Sequence, residues 1–183
     1  MISAVKDTAR EFSEYIEEAD RLYGNANTAD SCLDEETDVL DEDSRDSQDK
    51  PYTPEEAEIC RDCLMIMRRG EETLKLSLSF TTEVMDRSRE SGHDVVSSSS
   101  RWMANVHSKC LLLMEGVVDL SSELFVPFDL EAIQTKFTEV KEITTEVLQQ
   151  LLDGEMIGGK GVSDSGQLEI EALLASTRSC NLR

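Results

Sequence analysis

"MANVHSKCLLLMEGVVDLSSEL", residues 103 to 124, places Met103, Val106, Cys110, Leu113, Val117, Leu120 and Leu124 at alternating steps of three and four. On a helix of about 3.6 residues per turn, that spacing gathers all of them onto one stripe. No run of alternating apolar and polar residues elsewhere competes for strand status. The chain reads as all-α, and each further stripe it carries has to be hidden against this one.

Upstream, "PYTPEEAEIC" (51 to 60) holds a strong helix start. Thr53 can cap with its hydroxyl, Pro54 fits the first helical position, and Glu56 can reach back to the Thr53 N–H. From there Ile59, Cys63, Ile66, Gly70, Leu74, Ser77, Phe80 and Val84 form a second seam, widened by Cys60, Met67, Leu78 and Met85. This helix is expected to stop near Arg89, and the next to begin in the serine run 97 to 100, any member of which can cap it. Downstream, Pro127 breaks the chain and Asp129 can cap a helix carrying Leu130, Ile133, Phe137, Val140, Val147 and Leu151. Thr144 is its one polar interruption and Gly154 its end. At the other end of the chain Ile2, Val5, Ala9, Phe12, Ile16, Ala19 and Tyr23 mark an N-terminal helix that stops at Gly24.

Four long helices with one apolar face each bury those faces most simply as a bundle. An elongated coiled coil is disfavoured by the short connections after the second helix. The expected organisation is a first bundle helix over 1–24, an acidic disordered linker over 25–52, three bundle helices over 53–152 and a Gly-rich flexible tail over 153–183. Five glycines fall between 154 and 166, and only a short helix, 168 to 175, is anticipated beyond them.

The chain carries 39 acidic and 18 basic side chains, a net charge of −21. Affinity for nucleic-acid phosphate or anionic lipid comes from Lys and Arg, so direct binding to either is disfavoured. No apolar run approaches the roughly 20 residues that span a bilayer. The opening "MISAVKDTAREF" lacks the cationic start and apolar stretch of a secretory signal, so the five Cys read as reduced intracellular thiols.

Few residues suggest a site. "CLDEETDVLDEDSRDSQDKP" (32 to 51) packs eight carboxylates between Asp34 and Asp46. A calcium loop begun at Asp34 would have Val39 where a turn glycine belongs and Arg45 where a bidentate glutamate belongs. A register begun at Asp41 puts Asp46 at the turn. The stretch is better read as a solvated, self-repelling tether. Ser31 and Thr53 suit acidophilic and proline-directed kinases respectively. "CRDC" (60 to 63) has redox or zinc spacing, but it has no second pair for zinc and lies inside a helix, so it reads as core-facing thiols. His107 and Trp102 have no catalytic partners that sequence can place, and His93 is likewise isolated. "GEMIGGKGVS" has the wrong spacing for a phosphate loop. No catalytic residue, cofactor or metal is therefore expected, and the chain reads as non-enzymatic. Met65, Leu76, Leu112 and Val118 lie off the main seams and are candidates for an apolar partner-facing surface.

The order of segments resembles a known family. "VKDTAREFSEYIEEADRL", the acidic linker with "DVLDED", "TPEEAEICRDCLMIMRRGEETLK", "VVDLSSEL" and "FTEVKEITTEVLQQLL" are similar to the C-terminal half of the cyclin-D-binding, Id-like helix-loop-helix-associated regulators. The resemblance covers roughly residues 4 to 152. It implies an all-helical protein of cytoplasm and nucleus that binds D-type cyclins and helix-loop-helix transcription factors and restrains cell-cycle progression and transcription. It also implies a fragment or short isoform, because the family's N-terminal helical domain has no counterpart here, and the tail after Leu152 departs from the family pattern. A structural bundle of the vinculin or talin sort is the alternative class, since it too binds helices through long amphipathic helices.

If the acidic stretch is a tether, deleting residues 32 to 48 leaves helicity and melting temperature nearly unchanged, and calcium alters neither. A calcium-induced rise of several degrees would instead identify a metal loop.

Overall fold

Thr53 and Glu56 do cap one another. The Glu56 N–H donates to Thr53 Oγ1 at 3.3 Å, and the Thr53 N–H donates to Glu56 Oε2 at 2.8 Å. This capping box opens the first helix of a computed structural model of the chain. The model describes residues 52–91, 93–125, 128–154 and 164–182, plus Asp7, Arg10, Ser13, Glu14, Ile16, Glu17 and Arg21. Of the expected linker over 25–52, residues 25–51, with Ser31 among them, lie outside the described residues.

Four helices follow: α1 (Pro54–Ser91), α2 (His93–Glu123), α3 (Leu130–Gly154) and α4 (Asp164–Ser179). Among the described residues there is no strand. α2 starts before the serine run instead of within it, so Ser99 is an interior helical position and is buried. Asp129 caps α3 as its position suggests, its Oδ1 accepting from the Glu131 and Ala132 N–H groups at 3.1 Å each. The seven described N-terminal positions are helical; Ile16 is buried in the common core, and Arg68 of α1 donates to Ser13 Oγ at 3.3 Å.

α1, α2 and α3 pack on one another in all three pairings. The α2 seam is fully used: Val106, Cys110, Leu113, Val117, Leu120 and Leu124 are all buried, with Met103 partly so. Two glycines lie at these helix contacts, and the one in α2 is the tighter. A Cβ on Gly70 of α1 would stand 3.4 Å from Val117 Cγ2, and one on Gly116 of α2 would stand 3.2 Å from Val140 Cγ2 of α3. Thr144 is accommodated because its hydroxyl donates to the Val140 carbonyl at 2.7 Å, one turn back in its own helix.

The structure corrects several expectations. Leu78, Met85 and Leu130 were placed on seams, yet they are 61, 43 and 52% exposed. Leu78 and Met85 each follow a seam residue by one position, which turns them about 100° away from it, and Leu130 is the first residue of its helix, at the bundle's rim. Tyr52 does not belong to a disordered linker. It is buried, its hydroxyl donates to the Leu124 carbonyl at 2.9 Å, and its ring meets Phe128 edge-on at 5.5 Å. The tail correction is larger. Residues Asp164–Ser179 form a helix, and Ile170, Leu173, Leu174 and Thr177 are buried at spacings of three, four and seven. α4 packs on α3 and more lightly on α1, and it does not pack on α2.

Leu113→Ala removes a fully buried side chain and should cost about 2–5 kcal/mol in denaturant melts. Leu112→Ala, one position along but half exposed, should stay within about 0.5 kcal/mol.

Candidate functional site

α2 turns its seam inward and so points its opposite side to water. That side is not uniformly polar. Leu111, Leu112 and Val118 are 38, 50 and 49% exposed. Leu111 and Val118 are seven residues apart, which leaves them about 20° from one line along the helix. Glu115 stands between them on the same exposed side. Leu112 lies on the flank where α2 is tied to α3 by two ion pairs, Lys109 with Glu146 and Lys136 with Asp119, the latter at 2.9 Å. Lys136 also meets Glu139 at 3.0 Å. Exposed pairs of this kind are screened by water and salt and add little to stability.

Of the four off-seam candidates, Met65, Leu112 and Val118 are exposed, the first on α1 and the other two on α2. Leu76 is not available. It sits three residues after Thr73 and four before Phe80, and it packs against the buried core. Leu111 belongs with the α2 set and was missed in the sequence, because one exposed leucine beside a regular seam gives no separate periodic signal. Its heptad relation to Val118 was the available clue.

The remaining candidates have structural duties. Trp102 donates its indole N–H to the Gln150 carbonyl at 2.9 Å and meets Phe80 edge-on at 5.7 Å, which ties α1, α2 and α3 together. His107 is exposed on α2. Thr53 is exposed, but its hydroxyl is engaged in the α1 cap, so a phosphate there would replace the capping hydroxyl next to Glu55 and Glu56. Cys60 and Cys63 are completely buried, and all four described cysteines are free thiols. Burial pushes the Cys60 thiol up from 9.0 to about 12, with Glu56 adding to the rise and Arg61 opposing it. Burial raises Cys63 as well, helped by Cys60 and Asp62. Cys110 moves the same way, offset in part by its hydrogen bond with Ser77. Thiols held protonated in a core are poor nucleophiles and poor metal ligands.

Among the described residues no group of three or more His, Cys, Asp or Glu side chains is placed to hold a metal ion. No helix in them is long and apolar enough to cross a membrane. No family model, curated protein or solved structure matches this chain.

The raised thiols make a pH prediction with a definite sign. A folded-state pKa above the unfolded one means that the folded chain holds its protons longer. The associated stability is therefore complete below pH 9 and is lost as pH rises toward about 12. Melting temperature should fall over that window, and Cys60→Ala and Cys63→Ala should each flatten the fall. A slope unchanged by both substitutions would show that the two thiols do not contribute to it.

Proposed function

We propose that this chain is a non-enzymatic protein-binding regulator that sequesters a D-type cyclin or a helix-loop-helix transcription factor, in cytoplasm and nucleus, and so restrains cell-cycle progression and transcription. The observation that carries the binding role is the exposed apolar pair Leu111 and Val118, close to one line along α2, with Leu112 on the neighbouring flank, all on a helix packed against α1 and α3. Exposed apolar side chains aligned along one helix offer a partner helix the contact that heptad-spaced seams use. The resemblance over residues 4 to 152 supports the choice of partners.

Net charge gives the mechanism its direction. A chain at −21 adds nothing that holds phosphate. A transcription factor whose dimerising helix is occupied by this partner would therefore lose half of its grip on DNA. The same charge speeds the encounter with a basic segment, without supplying most of the affinity once the apolar side chains are buried.

Titrating a helix-loop-helix domain and a D-type cyclin against the full chain tests this. Binding to one of them should survive moderate salt, because buried apolar area is not screened. It should weaken at least tenfold in the double variant Leu111→Asp, Val118→Asp, with melting temperature held. Binding that ignores the double variant would place the interface elsewhere. Failure of both partners, alongside binding to actin-linked helices, would transfer the chain to the structural-adaptor class.

A further inference from the structure

Charge is laid unevenly along α2. On a chain with 39 acidic side chains, no Asp or Glu falls between Asp94 and Glu115, and that stretch carries Arg101, His107 and Lys109. From Cys110 to the helix end the order reverses: Glu115, Asp119 and Glu123 appear, and no Lys, Arg or His does. Lys109 and Asp119 are already committed to Glu146 and Lys136 of α3. That leaves Arg101 and His107 toward one end of the outer side of α2, and Glu115 and Glu123 toward the other.

Between those ends the outer side is apolar or small. Ala104, Leu111 and Val118 recur every seven residues and are all exposed, with exposed Ser108 and Ser122 beside the same line. α4 does not cover this stripe, because among the described helices α2 packs on α1 and α3 alone.

A face with an acid-free end, a heptad-spaced apolar middle and an anionic end matches its own copy turned end for end. In that arrangement a two-fold axis passes near Leu111, and positions equally far from Leu111 on either side stand level with one another. Leu111 meets its own copy, with Leu112 of each chain on the flank beside the axis. Ala104 stands level with the second copy's Val118, a small side chain against a larger one. His107 stands level with the second copy's Glu115. Arg101 comes within about 3 Å, measured along the helix, of the level of the second copy's Glu123. Each of these pairs occurs twice. A parallel copy would instead set His107 on His107 and Glu115 on Glu115, like on like. The total charge of −21 opposes self-association, but charges farther than the Debye length of about 8 Å at physiological salt are largely screened.

We propose that the outer side of α2 is a self-docking surface, through which two copies of this chain pair antiparallel about Leu111. The pairing needs no other protein and does not rest on the function proposed above. It does imply that a partner helix bound to the same face displaces the second copy.

Sedimentation of the full chain alone, at physiological salt and from micromolar to submillimolar concentration, tests this. The average mass should rise from that of one chain toward that of two. Leu111→Asp should weaken the association at least tenfold, with helicity and melting temperature held. His107→Glu, which sets like charges level, should weaken it several-fold, and adding Glu115→Lys should restore it. Those two positions lie about 12 Å apart along a single helix, so the rescue reports a contact between chains. Orientation has its own readout. Leu111→Cys should cross-link under mild oxidation, because the axis brings its two copies together. Val118→Cys should not, since its copies stand about 21 Å apart along the helices. A mass that stays at one chain throughout overturns the proposal, as does a dimer untouched by Leu111→Asp. Equal cross-linking of the two cysteine variants overturns the antiparallel arrangement, and a charge swap without rescue overturns its register. No readout here uses a cyclin or a helix-loop-helix domain, so the result is independent of the partner titration.

Discussion

The long helices of this chain are held by one seam that serves two interfaces. Val106, Cys110, Leu113, Val117, Leu120 and Leu124 of α2 are all buried between α1 and α3. Gly116 tightens the α3 side: a Cβ there would stand 3.2 Å from Val140 Cγ2, whereas one on Gly70 of α1 would meet Val117 and Leu113 at ordinary contact distance. The ion pairs of Lys109 with Glu146 and of Lys136 with Asp119 lie along the same α2–α3 interface.

Several hydroxyls inside the bundle are satisfied locally: those of Ser77, Thr144 and Thr177 each donate to the carbonyl one turn back in the same helix. Ser77 also bonds Cys110 of α2. Three longer-range bonds join a side chain to the backbone of a different element: Tyr52 to the Leu124 carbonyl, Trp102 to the Gln150 carbonyl and Lys141 to the Cys180 carbonyl. Among the described residues the acidic side chains of α3, such as Glu131, Glu139 and Glu146, are exposed.

Much of this was legible in the residues. A 3-4 spacing can be satisfied only by a helix, so the α2 seam, the α1 capping box and the Asp129 cap were readable as local chemistry. The buried state of "CRDC" followed from its place on the α1 seam. The candidate surface was legible in part: Met65, Leu112 and Val118 are exposed as off-seam positions should be, whereas Leu76 is drawn into the core and Leu111 gave no signal of its own. An off-seam position only says that a residue is not on the central line. Whether it meets water depends on how wide a neighbour lies against that flank.

What the sequence determined by itself is the set of long helices, the capped starts at Thr53 and Asp129, and which stripe of each must be buried, because these follow from hydrogen bonds and spacing within one segment; the start of α2 at His93, ahead of the serine run, did not show. Which helices share the core was decided only by the tertiary structure. The segment after Gly154 has too few apolar residues and too many glycines to announce a packed helix, yet Ile170, Leu173 and Leu174 become buried once the chain turns back along α3. Tyr52 likewise reads as the end of an acidic stretch until the Leu124 carbonyl, 72 residues away, comes within 2.9 Å of its hydroxyl. Both outcomes depend on a surface assembled from distant parts of the chain, and no local pattern encodes that surface.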